Sequence, residues 1–166
     1  AYPAGPYGVE EGDVLPRHLS FTGYRWGEDE HRELPVTDLH DPVGEDVHAI
    51  LLITSEYGCV PCYEQAEALE SLMEHWGPRG IAVAQLILDG PDDAPAGIDD
   101  AWRWKSSFGL DRVGVFADPQ GAMKAAGTPH QTIVDPRTME VLMRIDGLPD
   151  SYVALEELAE DNGGQP

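Results

Sequence analysis

Two kinds of apolar run alternate along the middle of this chain. His48-Ala49-Ile50-Leu51-Leu52-Ile53-Thr54 is continuously apolar, the pattern of a strand buried on both faces of a sheet. From Pro61 onward, Cys62, Ala66, Leu69, Met73 and Trp76 recur at four-three-four-three spacing, which predicts an amphipathic helix that stops at Gly77-Pro78. A second buried strand over Ile81 to Leu88 leads through a Gly/Pro/Asp loop, Gly90 to Gly97, to a helix around Asp99 to Phe108. Strand, helix, strand, helix implies a parallel crossover.

The rest of the pattern is shorter. A strand at Val113 to Phe116, a helical piece at Gln120 to Ala126 and a strand at Gln131 to Val134 are expected. The Asp135-Pro136-Arg137-Thr138 turn then joins that strand to Glu140 to Ile145 as an antiparallel hairpin. A last helix, Ser151 to Glu160, takes Ser151 as its expected N-cap, with Leu155 and Leu158 on the inner face. Before the first long strand, Leu19 to Thr22 and Leu34 to Val36 read as a small hairpin split by the polar Gly27 to Glu30 loop. Residues 1–13, rich in Gly, Pro and Tyr, carry neither period and read as an extended arm or tether.

These elements predict an α/β fold with a central mixed β-sheet covered on both faces. One domain spans 14–160, with 14–47 as an N-terminal β-hairpin extension and 161–166 as a flexible tail.

Composition narrows the partners more than the fold. The chain has 166 residues, 10 basic against 31 acidic, for a formal charge of -21. Such a balance opposes nucleic acid and anionic membrane surfaces and favours cationic partners or plain solubility. No apolar run approaches the roughly 20 residues of a membrane helix. The sequence starts at Ala1 without an initiator Met or a charged-then-apolar leader, so a mature or trimmed product is expected.

The chemistry is concentrated in Cys59-Val60-Pro61-Cys62, which holds both cysteines of the chain. Disulfide exchange needs one thiol that ionises readily and a second within bonding reach to resolve the mixed disulfide. At a helix start, orphan backbone N–H groups and the positive end of the dipole favour a thiolate on Cys59, while Cys62 lies one turn inside. Pro61 is tolerated there because its missing N–H had no partner to lose. The same spacing also occurs in metal ligand pairs and inert bridges, but a zinc site needs about four ligands and no second Cys pair exists.

Between a buried strand and an amphipathic helix, this motif resembles the active site of the thioredoxin superfamily. Gly127-Thr128-Pro129-His130-Gln131-Thr132-Ile133-Val134-Asp135 is similar to the family segment in which a cis-proline faces the dithiol. The resemblance covers about residues 12 to 160. Together with the extension and the Gly12-Asp13-Val14-Leu15-Pro16 approach, it looks most like the bacterial cell-envelope, TlpA-like redoxin branch. It implies a thioredoxin-like three-layer fold, with Cys59 as nucleophile, Cys62 as resolving thiol, Pro129 as cis-proline and Thr128 as a backbone contact for substrate. It further implies no cofactor beyond a redox-active Cys59-Cys62 disulfide. Protein thiols or disulfides as substrates, a separate electron donor and an extracytoplasmic, periplasmic or membrane-tethered location also follow, with the cytoplasm left open.

Three departures from that family stand out. Gly58 occupies the position before the first Cys that usually holds an aromatic, with Tyr57 one place back. Ile53 stands at the buried carboxylate position six residues before Cys59. Gln65 stands at the alternative acid position three residues after Cys62. Since such a carboxylate moves protons for the buried thiol, Glu56 and Glu64 are the candidate substitutes. Glu56, Glu64 and Glu67, with no Lys or Arg near them in sequence, also oppose ionisation of Cys59.

The leading expectation is a protein thiol-disulfide oxidoreductase, as a reductase by resemblance. A peroxiredoxin-type peroxidase is disfavoured because Glu56 replaces that family's threonine three residues before its cysteine. A copper or other metal module using Cys59, Cys62 and His130, and a redox-inert binding domain, are the alternatives from other classes. Trp76 reads as core, and Trp102 and Trp104 as packing or rim residues.

Overall fold

The computed structural model describes residues 1–163. Seven strands form one sheet in the order β2-β1-β5-β4-β3-β6-β7. They are β1 Ser20–Tyr24, β2 Arg32–Pro35, β3 Ala49–Ser55, β4 Ile81–Ile87, β5 Gly114–Ala117, β6 His130–Val134 and β7 Val141–Asp146. The helices are α1 Val60–Trp76, α2 Ile98–Phe108 and α3 Val153–Asp161. β3, β4 and β5 run parallel and the other pairings are antiparallel. The sheet is therefore mixed and the fold α/β, as the apolar runs predict.

All seven residues of β3 are buried, and it pairs with β4 on one side and β6 on the other. The two crossovers, through α1 and α2, step in the same direction across the sheet. Right-handedness then puts both helices on one face, where they share a core with α3. There Leu51 and Ile53 of β3 meet Leu69 and Trp76 of α1, Trp104 of α2 and Leu155 of α3. The opposite face, which carries Ile50, Leu52, Leu86 and Phe116, is covered by Leu15 of the N-terminal extension, the short helical turn Val36–Leu39, and Met123. Among the described residues, no helix is long and apolar enough to cross a membrane.

Four local expectations are corrected. Gln120 to Ala126 is a pair of turns, because the Asp118 carboxylate accepts from the N–H groups of Ala122 and Met123 and Gly121 takes a left-handed φ of 65°. The α3 cap position falls on Tyr152 instead of Ser151; its ring packs edge-on against Trp76 at 4.8 Å, and no side chain caps the helix. The arm is docked: Gly12 N–H donates to Val141 O and Val141 N–H to Asp13 O, and Tyr2 Oη donates to Leu15 O. An edge strand leaves open donors and acceptors that the arm satisfies. The expected tail is ordered at its start, since Asp161 ends α3 and the buried Asn162 amide donates to His48 O and Asp135 Oδ1. Residues 164–166 lie outside the described residues.

The approach to β3 is fixed by Asp41, whose carboxylate accepts from the backbone N–H groups of Gly44, Glu45, Asp46 and Val47 at 2.7–3.0 Å. Burial alone raises its pKa, but the four N–H donors outweigh burial and bring it down to about 2. A depressed folded-state pKa contributes stability that is complete above the unfolded value, near 3.8, and is lost as pH falls through about 2. Asp41→Asn, which can accept at only one atom, is expected to cost about 1–2 kcal/mol at pH 7 in urea unfolding. The gap between variant and parent should close toward pH 2, and a gap independent of pH would contradict this account.

Candidate active site

The site forms where β3 hands the chain to α1. Both lie on one sheet face, so the connection must reverse direction within Glu56 to Cys59, and Gly58 supplies the required left-handed φ of 82°. Nothing lies within 4 Å of where a Cβ would sit on Gly58, so its backbone conformation, not crowding, selects glycine there. Cys59 occupies the N-cap of α1, and its sulfur accepts from the Cys62 N–H at 3.2 Å. Pro61 falls in the first helical turn. The spacing that makes α1 amphipathic rotates Cys62 into the core, fully buried with Ala66 and Leu69, while Cys59 stays half-exposed beside the exposed Val60. The two sulfurs are bonded to each other, with their Cα atoms 5.2 Å apart.

The loop before β6 ends in a cis Thr128-Pro129 peptide. Gly147 N–H donates to Pro129 O at 2.7 Å, which holds this loop to the end of β7. Thr128 Oγ1 donates to Glu56 Oε1 at 2.7 Å, so the turn before Cys59 and the proline loop are tied directly. Glu56 is thus engaged in positioning the loops, whereas Glu64 and Glu67 project from α1 into solvent. Among the described residues, none of these three glutamates has an ion-pair partner within 4.0 Å.

Beneath the disulfide lies a set of neutral polar groups. Gln65 Nε2 donates to Gln131 Oε1 at 2.9 Å and to Tyr152 Oη at 3.0 Å; Gln131 Nε2 returns a bond to Gln65 Oε1 and donates to Gly147 O. Burial raises the Tyr152 phenol above its ordinary pKa, and the bond from Gln65 lowers it by less. Ile53 is paired in register with Gln131, so the position of the missing carboxylate faces an amide. The sequence singles out Gln65, but Gln131 and Tyr152 escape notice. A uniformly buried strand hides which of its residues point toward α1.

Beside the disulfide, four aromatic rings come together from three elements. Tyr57 and Tyr63 pack on Trp104 at 5.2 and 5.6 Å, and Phe108 meets both Trp104, at 5.1 Å, and Tyr63, at 5.9 Å. Each polar end is held: Trp104 Nε1 donates to Gln85 Oε1, Tyr57 Oη to Asp100 O, and Tyr63 Oη accepts from Gly58 N–H. Burial, then the Asp100 charge, pushes the Tyr57 phenol up to about 12, against the opposing pull of Arg103. Trp76 is core, as read from sequence. Trp104 is fully buried, and Trp102 is an exposed packing residue against Tyr24 at 5.1 Å.

His130 does not join the sulfurs. Gln131 points toward α1, so its neighbour His130 points to the other face of the sheet. There its Nδ1 lies 2.9 Å from Asp146 Oδ1. Burial depresses the His130 imidazole pKa although Asp146 raises it. Among the described residues, no group of three His, Cys, Asp or Glu side chains could hold a metal ion.

No family model and no curated protein matches the sequence. Solved structures do match it. A protein of Chlorobium tepidum, provisionally described as the thiol:disulfide interchange protein DsbE, aligns over 93% of this chain and 96% of its own, with 19% identity and a TM-score of 0.60. The thioredoxin domain of the thiol-disulfide oxidoreductase BVU-2223 of Bacteroides vulgatus aligns over 92% and 99%, with 16% identity and a TM-score of 0.58. The reduced 2-Cys peroxiredoxin of Plasmodium vivax aligns over 90% and 80%, with 12% identity and a TM-score of 0.66. Identities this low carry the architecture: the chain has the thioredoxin-like fold.

Proposed function

We propose that this protein is a thiol-disulfide oxidoreductase acting on protein disulfides, and that it works as a reductase outside the cytoplasm. The observation that carries the reading is the bonded Cys59-Cys62 pair at the N-terminus of α1, with one sulfur half-exposed and the other buried. In the reduced protein, the Cys59 thiolate attacks one sulfur of a substrate disulfide and expels the other as a thiolate that takes up a proton. Cys62 then loses its proton and attacks the Cys59 sulfur, releasing the second substrate thiolate and restoring the Cys59-Cys62 bond. Two electrons pass from the protein to the substrate, and an external dithiol must return them. No organic cofactor enters these steps.

Residues around the pair support this chemistry. The Cys62 N–H on the Cys59 sulfur favours the thiolate. Thr128, tied to Glu56 three residues before Cys59, and Pro129, held to Gly147, are the residues we assign to the support of a substrate strand, by resemblance to the family's proline loop. Glu56, bound to a hydroxyl, provides no hydroxyl of its own to a peroxide, so disulfide exchange is preferred over peroxidase chemistry. An envelope location, periplasmic or tethered, rests on the resemblance to the TlpA-like branch.

Cys59→Ser should lower turnover of a protein disulfide by at least about 100-fold, while Cys62→Ser should accumulate a mixed disulfide through Cys59. Full activity in the Cys59→Ser variant would falsify the mechanism. Equilibration with dithiothreitol should give a potential more negative than about -200 mV; a value near -120 mV, typical of a strong oxidant, would reverse the assigned direction. With Glu56, Glu64 and Glu67 opposing the helix N-terminus, alkylation of reduced Cys59 against pH should report a pKa within about one unit of 8.5. A value under about 7 contradicts that balance.

A further inference from the structure

We propose that the aromatic groove beside the disulfide is a subsite for an arginine side chain of the substrate polypeptide, close in sequence to the cysteine that is attacked. This rests on the reading of the protein as an oxidoreductase of protein disulfides and names the substrates it prefers. The groove has a volume of 290 Å³ and is lined by Tyr57, Tyr63, Trp104, Phe108, Ser107 and Glu67. That lies just under the roughly 300–1,000 Å³ of small-molecule pockets, a size for one side chain and not for a cofactor.

Its position ties it to the reacting sulfurs. Tyr57 lies two residues before Cys59 and Tyr63 directly follows Cys62, while Trp104 and Phe108 close the groove from α2. Two residues of chain span at most about 7 Å. A strand lying across Cys59 therefore delivers into the groove the side chain of a residue some two positions from its own cysteine.

The lining selects the chemistry of the occupant. Aromatic surface alone accepts either an aliphatic or a cationic group, but Glu67 at the rim breaks that tie. An aliphatic occupant takes water from the carboxylate and returns nothing. A guanidinium stacks on the rings and pairs with the carboxylate at its tip. Glu64, one helical turn before Glu67 on α1, adds a second negative charge on the same side. Arg103 brings a cation to the α2 side of Tyr57, where it lowers the phenol pKa against the stronger effect of burial. Among the described residues, no ion pair within 4.0 Å neutralises Glu67 itself. The formal charge of -21 adds long-range attraction for any basic polypeptide, and that general effect has to be separated from the subsite.

Isomeric peptides achieve the separation. Two disulfide-containing peptides of identical composition and net charge carry their single arginine either two residues from the first cysteine or at the far end. At 0.15 M salt the reduced protein should turn over the near isomer with a kcat/KM about five- to tenfold above the far isomer. The exposed substitution Glu67→Gln should at least halve that ratio. Serine analogues of both peptides, binding to the oxidised protein by titration calorimetry, should show the same preference without any exchange step. Equal rates and equal affinities for the two isomers, or a ratio unchanged in Glu67→Gln, would overturn the subsite. A near-isomer preference in binding with no turnover of either peptide would keep the subsite and sink the oxidoreductase reading instead.

Discussion

The double burial of β3 is the constraint from which the site follows. A strand with all seven residues inside and partners on both edges cannot shift register without moving apolar side chains into water or breaking two ladders. Its C-terminal end is therefore a fixed point. From that point the chain must enter a helix lying over the same sheet face, and the left-handed Gly58 makes the reversal in a few residues. Cys59 has to fall at the helix cap, where its sulfur accepts from the Cys62 N–H of the first turn. The more exposed end of the pair is a by-product of topology, and the buried end is a by-product of the amphipathic stripe that attaches α1 to the sheet.

What could be read in the sequence divides along the same line. Continuous apolar runs and the four-three spacing locate β3, β4 and α1, because burial on one or both faces leaves a one-dimensional trace. Cys62 is legible for the same reason, as a member of the stripe. Local hydrogen-bond competition leaves no such trace. Nothing in Gln120 to Ala126 announces that the Asp118 carboxylate captures two N–H groups and holds turns where a helix is expected. The docking of the arm was equally hidden, since a Gly/Pro-rich segment has no period whether free or bound to an edge strand. The site was half legible: the sulfurs are visible in the sequence, while the amide pair next to them and the aromatic groove beside them join residues up to 66 positions apart.

Electrostatics divides the molecule further. Arg25, Arg32, Arg79, Lys105, Arg112 and Arg144, six of the ten basic residues, are engaged with carboxylates at distances of 2.7–3.8 Å. Several of these pairs join elements distant in sequence, such as Arg79 of the α1 end with Glu156 of α3. These cations brace the scaffold, and among the described residues Glu56, Glu64 and Glu67 near the disulfide have no ion-pair partner within 4.0 Å. In most of these pairs the cation is largely buried and its carboxylate partly or fully exposed, as for Lys105 at 6% against Asp29 at 79%, so these cations are held within the scaffold and away from the acids beside the disulfide.

The neutral layer under the disulfide sets a different limit. Both hydrogens of the Gln65 amide are committed, one to Gln131 and one to Tyr152, and both hydrogens of Gln131 are likewise committed, to Gln65 and Gly147. A carboxylate in this place would accept and return a proton as the buried sulfur is freed and bonded again. An amide does neither at any ordinary pH, and this pair has no spare N–H to turn toward a thiolate. The Tyr152 phenol, raised by burial, is a poor proton source as well. Cys62 itself lies fully buried in an apolar cluster, a setting that disfavours a charged group. On the proposed mechanism the proton for Cys62 then arrives from the exposed side, past Cys59 and along the face proposed for substrate, so that the resolving step would depend on how completely that face is closed.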